Sequence, residues 1–200
     1  MKKLLGLMLV LLMSNAVVGF SEEAVAPATD PAMEAMMAKM TEYGTPAEGH
    51  ARLEPLIGKW NHSIVSKMDS KSPEQTMTGT NENKWILGGR FIQQETKGEW
   101  MGKPFEGIGI TGYDNFKKEY SSVWLDNMGT GMMISTGTFD EATGAINESG
   151  KFTCPIKQGE MEVRSVWKIV DNDHYTYEMY TKDEAGAEFK MMEITYERAV

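Results

Sequence analysis

Charged side chains inside aromatic-rich segments are the residues of this sequence best suited to chemistry. Two arginines and four carboxylates stand in such segments: Arg90, Glu106, Asp126, Arg164, Glu178 and Glu193. A charge buried without a partner is costly, so any that point inward must form ion pairs or meet a polar ligand group. We expect Arg90 and Arg164 to hold the carboxylate or polar head of an otherwise apolar ligand.

Bulky aromatic side chains near these charges predict the walls of a ligand cavity. The expected lining is Trp85, Phe91, Tyr113, Trp124 and Trp167, together with Glu106, Asp126 and Glu178. An alternative is an enzyme in which one of the carboxylates acts as a general base, which requires a raised pKa beside a Tyr or Arg. The sequence has no Gly-x-Ser-x-Gly or Cys–His nucleophile motif, so no catalytic residue is assigned.

Histidine and cysteine usage predicts neither a metal site nor a cofactor. No two of His50, His62 and His174 stand at metal-ligand spacing. A single imidazole suffices to hold haem, so haem binding stays open, although surface or packing roles are the expected ones. Cys154 precedes Pro155 and has no activating motif nearby, which favours an inert packing role.

Methionines mark the segment 31–43, where Met33, Met36, Met37 and Met40 are spaced so that they share one helix face. Thioethers can bind Cu(I), which is one interpretation of this face. The expected interpretation is an amphipathic helix that docks a soft face on the rest of the domain, since no His or Cys is interleaved.

The elements that position these residues are short strands. Turn residues such as Gly88-Gly89, Asp114-Asn115 and Thr143-Gly144 separate them. The predicted strands are 59–67, 75–87, 90–99, 105–113, 118–126, 131–139, 145–153, 161–170, 174–181 and 188–198. Links this tight suit hairpins and exclude helical crossovers, and closing into a barrel hides the sheet edges. We therefore predict an all-β fold, a single antiparallel up-and-down barrel of about ten strands with a short N-terminal helix.

The N-terminus predicts export. Residues 1–19 have a basic start, Lys2-Lys3, and an apolar run that is too short for a membrane span, as in a cleaved signal peptide. Residues 20–45 are expected to form a disordered leader and the methionine-rich helix, and residues 46–200 the barrel domain. No cysteine lies near the cleavage site for lipid attachment, and the lack of disulfides suits a periplasm.

The acidic composition argues against two classes of partner. Without Lys2 and Lys3 the chain has 18 basic against 29 acidic residues, a net charge of −11. Nucleic acids and anionic membranes are bound by clustered Lys and Arg, so we expect no nucleic-acid partner and no stable membrane anchor.

Two sets of residues carry a resemblance to known families. Gly58-Lys59-Trp60 resembles the Gly-x-Trp motif of lipocalins, which implies that Trp60 closes one barrel end and that Arg198 packs over it. From about Pro46 to Arg198 the chain resembles the bacterial DUF family 1579, a family of unknown function with a lipocalin-like barrel. The residues that carry this resemblance include 56–60, 85–91, 104–107, 111–115, 124–126, 128–131 and 193–198.

The sequence thus predicts an exported, lipocalin-like binder of a small amphipathic or apolar ligand. Such a binder needs a continuous cavity of a few hundred Å³ (on the order of 300 or more) lined by aromatic residues and methionines. An enzyme that uses an in-barrel carboxylate and a non-catalytic scaffold remain the alternatives, because a barrel fold alone does not specify a function.

Overall fold

The computed structural model describes residues 30–200, so the predicted signal peptide and residues 20–29 of the leader lie outside it. Helix α1 (Pro31–Gly44), the short helix α2 (Glu48–Ala51) and a 3₁₀ turn (Glu54–Leu56) precede the sheet. The Asp30 side chain caps α1 by accepting a hydrogen bond from the Ala32 N–H at 2.9 Å. Pro31 occupies the first turn, where a missing N–H costs nothing.

Ten β-strands follow, close to their predicted positions. They are β1 (Gly58–Ser66), β2 (Gln75–Ile86), β3 (Phe91–Trp100), β4 (Lys103–Asp114), β5 (Glu119–Asp126), β6 (Met133–Asp140), β7 (Ala145–Cys154), β8 (Gly159–Ile169), β9 (His174–Lys182) and β10 (Glu188–Arg198). Each strand pairs antiparallel with its neighbour in sequence, and β1 pairs with β10 to close the barrel. The predicted closed, ten-stranded, up-and-down barrel is confirmed.

Alternation along the strands sets which side chains point into the barrel. In the antiparallel pairing, Trp167 lies opposite Tyr177 and Ile146, and Tyr177 lies opposite Ile194. These residues belong to the inner face, where the buried core of the molecule is formed. Because the side-chain period is two, the neighbours of these residues point to the outer face.

The two ends of the barrel differ. At one end β1 begins, and residues 48–57 lie across the lumen; we call this the capped end. At the other end β1 stops at Ser66 and the chain turns through the loops 67–74, 101–102, 127–132, 155–158 and 183–187. We call this the loop end.

Helix α1 stands apart from the core. None of its residues is buried, and its four methionines are between 49% and 61% exposed. Its C-terminal end is held at the capped end of the barrel, where the Asn115 side chain donates to the Tyr43 carbonyl at 2.9 Å. The expectation that the methionine face docks on the barrel is therefore wrong. Within residues 30–200 no helix is both long and apolar enough to span a bilayer.

Candidate functional site

Trp60 and Arg198 meet at the capped end. Trp60 is 1% exposed, and its indole N–H donates to the Leu56 carbonyl at 2.9 Å. The guanidinium carbon of Arg198 lies 4.1 Å from the centre of the Trp60 ring. Arg198 also donates to the carbonyls of Ile57 at 3.0 Å and Asn172 at 2.7 Å, so it ties the cap to the β8–β9 turn.

Gly58 is required by this arrangement. Its φ of +127° lies in a region that favours glycine, and a Cβ there would come within 2.6 Å of the Arg198 Nη1. The Gly-x-Trp motif therefore has a local physical cause: the glycine leaves space for the guanidinium, and the guanidinium covers the tryptophan.

The cap is hydrogen-bonded to the barrel wall at several points. The Tyr120 hydroxyl donates to the Gly49 carbonyl at 3.0 Å, and the Asn83 amide donates to the Leu56 carbonyl at 2.7 Å. Leu53, on the same segment, is 1% exposed. Because Tyr120 and Asn83 of the wall satisfy these backbone carbonyls, the second together with Trp60, the wall residues hold the cap in one position.

A polar network lies inside the capped half of the barrel. The Asn81 side-chain oxygen accepts from Thr96 at 2.6 Å and from Gln94 at 2.9 Å, while its amide donates to Asn83 at 2.8 Å. Asn81, Asn83 and Thr96 are all buried. The sequence interpretation missed this network because it looked for apolar residues and charges, and the clue was the spacing of amides at 81, 83 and 94.

His62 is a second buried polar group of this half. It is 4% exposed, and neither ring nitrogen has a hydrogen-bond partner among residues 30–200. Burial lowers the pKa of the His62 imidazole. A neutral ring packed edge-on to Tyr196, with centroids 5.9 Å apart, is a core residue.

The other half of the lumen, near the loop end, carries methionines among its aromatic side chains, and we call it the methionine half. Five inward positions near the loop end carry methionine, each on a different strand: Met77, Met133, Met161, Met179 and Met192. Three of the five are buried and two are partly buried against the core. Unbranched thioether side chains fill irregular space and rearrange readily, so this half of the core is the more deformable one.

A groove of about 1000 Å³ opens on the wall beside the methionine half. It is lined by inner-face residues, among them Met161 and Val163, and by outer-face residues such as Arg164. It lies where β8 runs beyond its ladder with β9, which stops at Arg164 opposite Tyr180. The Thr181 hydroxyl donates to the Glu162 carbonyl at 2.9 Å there, in place of a continued ladder.

Glu148 is the buried carboxylate of the barrel interior, and the sequence interpretation did not select it. It is 3% exposed, in the middle of β7. The indole N–H of Trp167 donates to one carboxylate oxygen at 3.0 Å, and the Ser122 hydroxyl donates to the other at 3.1 Å. The signal that could have found it is alternation: Ile146 and Glu148 share the inner face of β7.

Burial raises the pKa of the Glu148 carboxyl, and the hydrogen bonds from Trp167 and Ser122 lower it in part. Within the described part of the chain no cation contributes to this balance. A small cavity of about 20 Å³, enough for one water-sized group, is lined by Glu148 and Trp167 on one side and by Leu53 and Leu56 of the cap on the other. The expectation of a continuous cavity of several hundred Å³ is therefore wrong for the space around Glu148, which side chains fill.

Five of the ten residues predicted to line a ligand site lie on the inner face. They are Trp85, Tyr113, Trp124, Asp126 and Trp167. Trp85 donates to Glu54 of the cap at 2.6 Å, so it belongs to the capped end. Trp124 donates to Asp126 at 2.9 Å and lies over Gly107, where a Cβ would come within 2.4 Å of its ring.

The other five lie elsewhere. Phe91, Glu106, Arg164 and Glu178 are on the outer face, and Arg90 is exposed in the β2–β3 turn. Arg164 makes two hydrogen bonds to Glu188, at 3.0 and 2.9 Å, and lies 4.1 Å from the centre of the Tyr180 ring. These charges stay on the outer face because water and ion pairs solvate them there at little cost.

Potential metal ligands form no cluster in the part of the chain that the structure describes. In the region 30–200, no group of three or more His, Cys, Asp and Glu side chains is arranged to hold an ion. Cys154 is buried at the loop end of β7 as a free thiol. Arg90 and Arg164, expected to hold a ligand head, both lie outside the lumen, whereas the inward acid Glu148 is buried.

Comparison with known proteins places the chain in a family. The model for DUF1579, a protein family of unknown function, matches residues 45–198, so the chain belongs to this family. No curated protein matches it in sequence.

Solved structures resemble it in fold. One is Rv2717c from M. tuberculosis, with a TM-score of 0.59 at 15% identity, covering 78% of this chain and 100% of that one. Another is the S-type phycobiliprotein lyase CPES from Guillardia theta, with a TM-score of 0.54 at 10% identity, covering 77% of this chain and 94% of that one. At these identities the likeness concerns the barrel fold.

Proposed function

We propose that this protein is an exported barrel that binds a small amphipathic or apolar molecule in the methionine half of its lumen. The observation that carries the proposal is the convergence of methionines from five strands on one half of the interior. The signal-like residues 1–19 support export, to a periplasm or beyond the cell.

The proposal depends on a contrast between the small enclosed cavity of the lumen and the methionine side chains that can move to enlarge it. The enclosed cavity of about 20 Å³ admits only a water-sized group, so a larger ligand must displace side chains. Met161 and Met179 can move aside through rotamer changes at small cost, whereas a rigid aromatic core cannot. The groove that Met161 lines offers a route from solvent to this part of the lumen.

The phycobiliprotein lyase has a barrel of similar fold. A small-molecule function for this chain is compatible with that likeness. Fold likeness does not transfer activity, so the ligand chemistry of this chain depends on its own residues.

A second candidate function is proton-transfer catalysis, and Glu148 favours it. An enzyme would need an in-barrel carboxylate with a raised pKa, and Glu148 has this property while lying near Tyr177. Of the four carboxylates predicted from the sequence, Glu106, Glu178 and Glu193 are on the outer face, and Asp126 accepts a hydrogen bond from Trp124 on the inner face. The binding function ranks first because the side chains that hydrogen-bond Glu148, Trp167 and Ser122, are neutral donors, and neither is a partner acid or base for proton transfer.

The test uses a neutral apolar fluorophore, N-phenyl-1-naphthylamine, and a variant that fills the lumen. Met179→Trp places a rigid ring among the other methionines, so we expect it to weaken fluorophore binding about tenfold or more while the protein stays folded by circular dichroism. Met36→Trp on the exposed face of α1 is the matched control and should leave the affinity unchanged. Native mass spectrometry of protein purified from its source host would then identify a co-purifying ligand.

Two results would overturn the proposal. One is no fluorophore binding at all by the wild-type protein. The other is equal affinity in the wild type and in a folded Met179→Trp, since the binding site would then lie outside the methionine half. If Met179→Trp does not fold, the smaller change Met179→Phe at the same position replaces it.

A further inference from the structure

Glu148 lies where the capped half and the methionine half meet. Its cross-strand partner on β8 is Ser165, and Ser165 lies opposite Met179 on β9. Met179 in turn lies opposite Met192 on β10. The carboxylate is therefore level with two of the methionines proposed to make room for a ligand.

The acceptor capacity of this carboxylate is only partly used. A carboxylate offers about four lone-pair positions, and neutral donors occupy two of them, one from Trp167 and one from Ser122. Glutamine could accept from Trp167 through its carbonyl oxygen and donate to the Ser122 hydroxyl through its amide, without the cost of burying an acid. The Glu148 carboxylate therefore has acceptor positions that no hydrogen bond from residues 30–200 fills.

Buried hydroxyls surround this acid. Ser135 is 2% exposed, its Oγ has no hydrogen-bond partner among the described residues, and it lies opposite Ser122 across the β5–β6 pair. Ser135 also lines the groove on the barrel wall. The inward serines Ser135 and Ser122 thus lie between the groove, which Ser135 lines, and Glu148, which Ser122 contacts.

Resting on the proposed function, we propose that Glu148 is the polar anchor of the ligand and that it selects a molecule with an alkylammonium or other cationic N–H group on an apolar body. The cavity of about 20 Å³ beside the carboxylate matches the size of one ammonium group. A cation there would neutralise the buried acid and satisfy its free lone pairs. This polarity is opposite to that expected for an arginine-anchored ligand.

The electrostatic surroundings agree with this assignment. The titratable side chain that faces Glu148 from β9 is Tyr177, and burial raises the pKa of its hydroxyl, so it stays neutral. Arg164, which the sequence predicted to hold a ligand head, lies on the outer face and is bound to Glu188. The lumen around Glu148 therefore repels a ligand carboxylate and attracts a cation.

Three probes of equal chain length test the anchor: octylammonium, octanol and octanoate, each measured by displacement of N-phenyl-1-naphthylamine at neutral pH. We expect the wild type to bind octylammonium about tenfold more tightly than octanol, and octanoate most weakly. In Glu148→Gln the preference for the cation should vanish while octanol affinity changes less than about twofold. Glu193→Gln on the outer face, where Lys190 contacts Glu193, is the matched control and should keep the preference.

The outcomes separate the two proposals. If octanol and the fluorophore bind but octylammonium is not preferred, or if Glu148→Gln keeps the preference, the anchor is wrong and the binding function stands. If neither octanol nor the fluorophore binds, the proposed function itself fails. Should Glu148→Gln fail to fold, the wild type gives a second measurement: the preference for octylammonium must fall as acid protonates Glu148, and a preference that does not change on acidification contradicts the anchor.

Discussion

The capped half and the methionine half of the barrel solve the same problem, filling a lumen, in opposite ways. In the capped half, Trp60, Tyr175 and Tyr196 pack at fixed angles, with Trp60 and Tyr175 edge to face at 4.7 Å and the two tyrosines stacked at 4.0 Å. In the methionine half, methionines lie beside partly buried aromatic side chains, with Phe152 opposite Met161 and Trp124 opposite Met133, and the thioethers are the flexible part of the packing. Rigid packing positions the end of the barrel, and deformable packing leaves the other half able to change shape.

The largest effect that would sharpen this contrast comes from Trp60. Trp60→Ala removes a fully buried ring, its hydrogen bond to Leu56 and its contact with Arg198, so we expect a loss of about 3–5 kcal/mol in the free energy of unfolding. Met179→Leu keeps the volume in the other half and should cost less than about 1.5 kcal/mol. Urea denaturation of both variants gives the comparison, and equal losses would remove the distinction between a rigid and a deformable half.

Asn81 is expected to give the next largest effect. Asn81→Ala leaves the Thr96 hydroxyl, the Gln94 amide and the Asn83 side-chain oxygen without their shared partner, which we expect to cost about 1–3 kcal/mol of stability. Asn147→Ala, on the outer face of β7, is the control and should change stability by less than about 0.5 kcal/mol. Thermal unfolding followed by circular dichroism measures both, and an Asn81 loss no larger than the control would contradict a structural role for the network.

The inward-facing residues of the later strands were predictable from the alternation of apolar and polar residues, whereas those of the early strands β2 and β3 were not. Trp167, Tyr177 and Ile194 alternate with polar residues in the ordinary way, because one face of each strand is apolar and the other is wet. In β2 and β3 the inner face carries amides such as Asn81 and Gln94. The rule that apolar side chains point inward therefore fails there, and Phe91 was wrongly predicted to point into the lumen.

The same cause explains why only half of the predicted lining lies inside. Phe91 is an apolar residue on the outer face, next to the inward Ile92, so a choice by residue type alone put it in the lumen. The arginines were selected for their charge, yet solvent and Glu188 satisfy Arg164 outside. Glu148 was missed because a lone acid in a strand is ordinarily solvated, and only the barrel register shows that it is enclosed.

Glu148 and His62 should give opposite pH dependences of stability, which sharpens the contrast further. The pKa of Glu148 is raised in the fold, so its contribution is fully favourable below its unfolded pKa and is lost as the pH rises through its folded pKa. The free energy of unfolding of the wild type should therefore fall relative to Glu148→Gln as the pH rises from about 4. The slope cannot exceed about 1.4 kcal/mol per pH unit, the limit for one proton.

For His62 the sign reverses. Its pKa is lowered in the fold, so stability is present above the unfolded pKa and is lost as the pH falls below about 6.5. The wild type should lose stability on acidification relative to His62→Phe, as measured by urea titrations from pH 7.5 to 4.5. A difference that does not change with pH for either pair of proteins would show that the residue is not enclosed as described.

The smallest expected effect separates the methionines of the lumen from those of helix α1. The four on α1 are about half exposed and are not part of the core cluster, so replacing Met33, Met36, Met37 and Met40 together by leucine should change stability by less than about 0.5 kcal/mol. The same exposure makes their sulfur atoms the first to be oxidised by dilute peroxide, before the buried Met77, Met161 and Met179. Peptide mass spectrometry over a time course orders the sites. If the lumen methionines were oxidised as fast as those of α1, the methionine half would be open to solvent in the free protein. The barrel would then admit its ligand without displacing side chains.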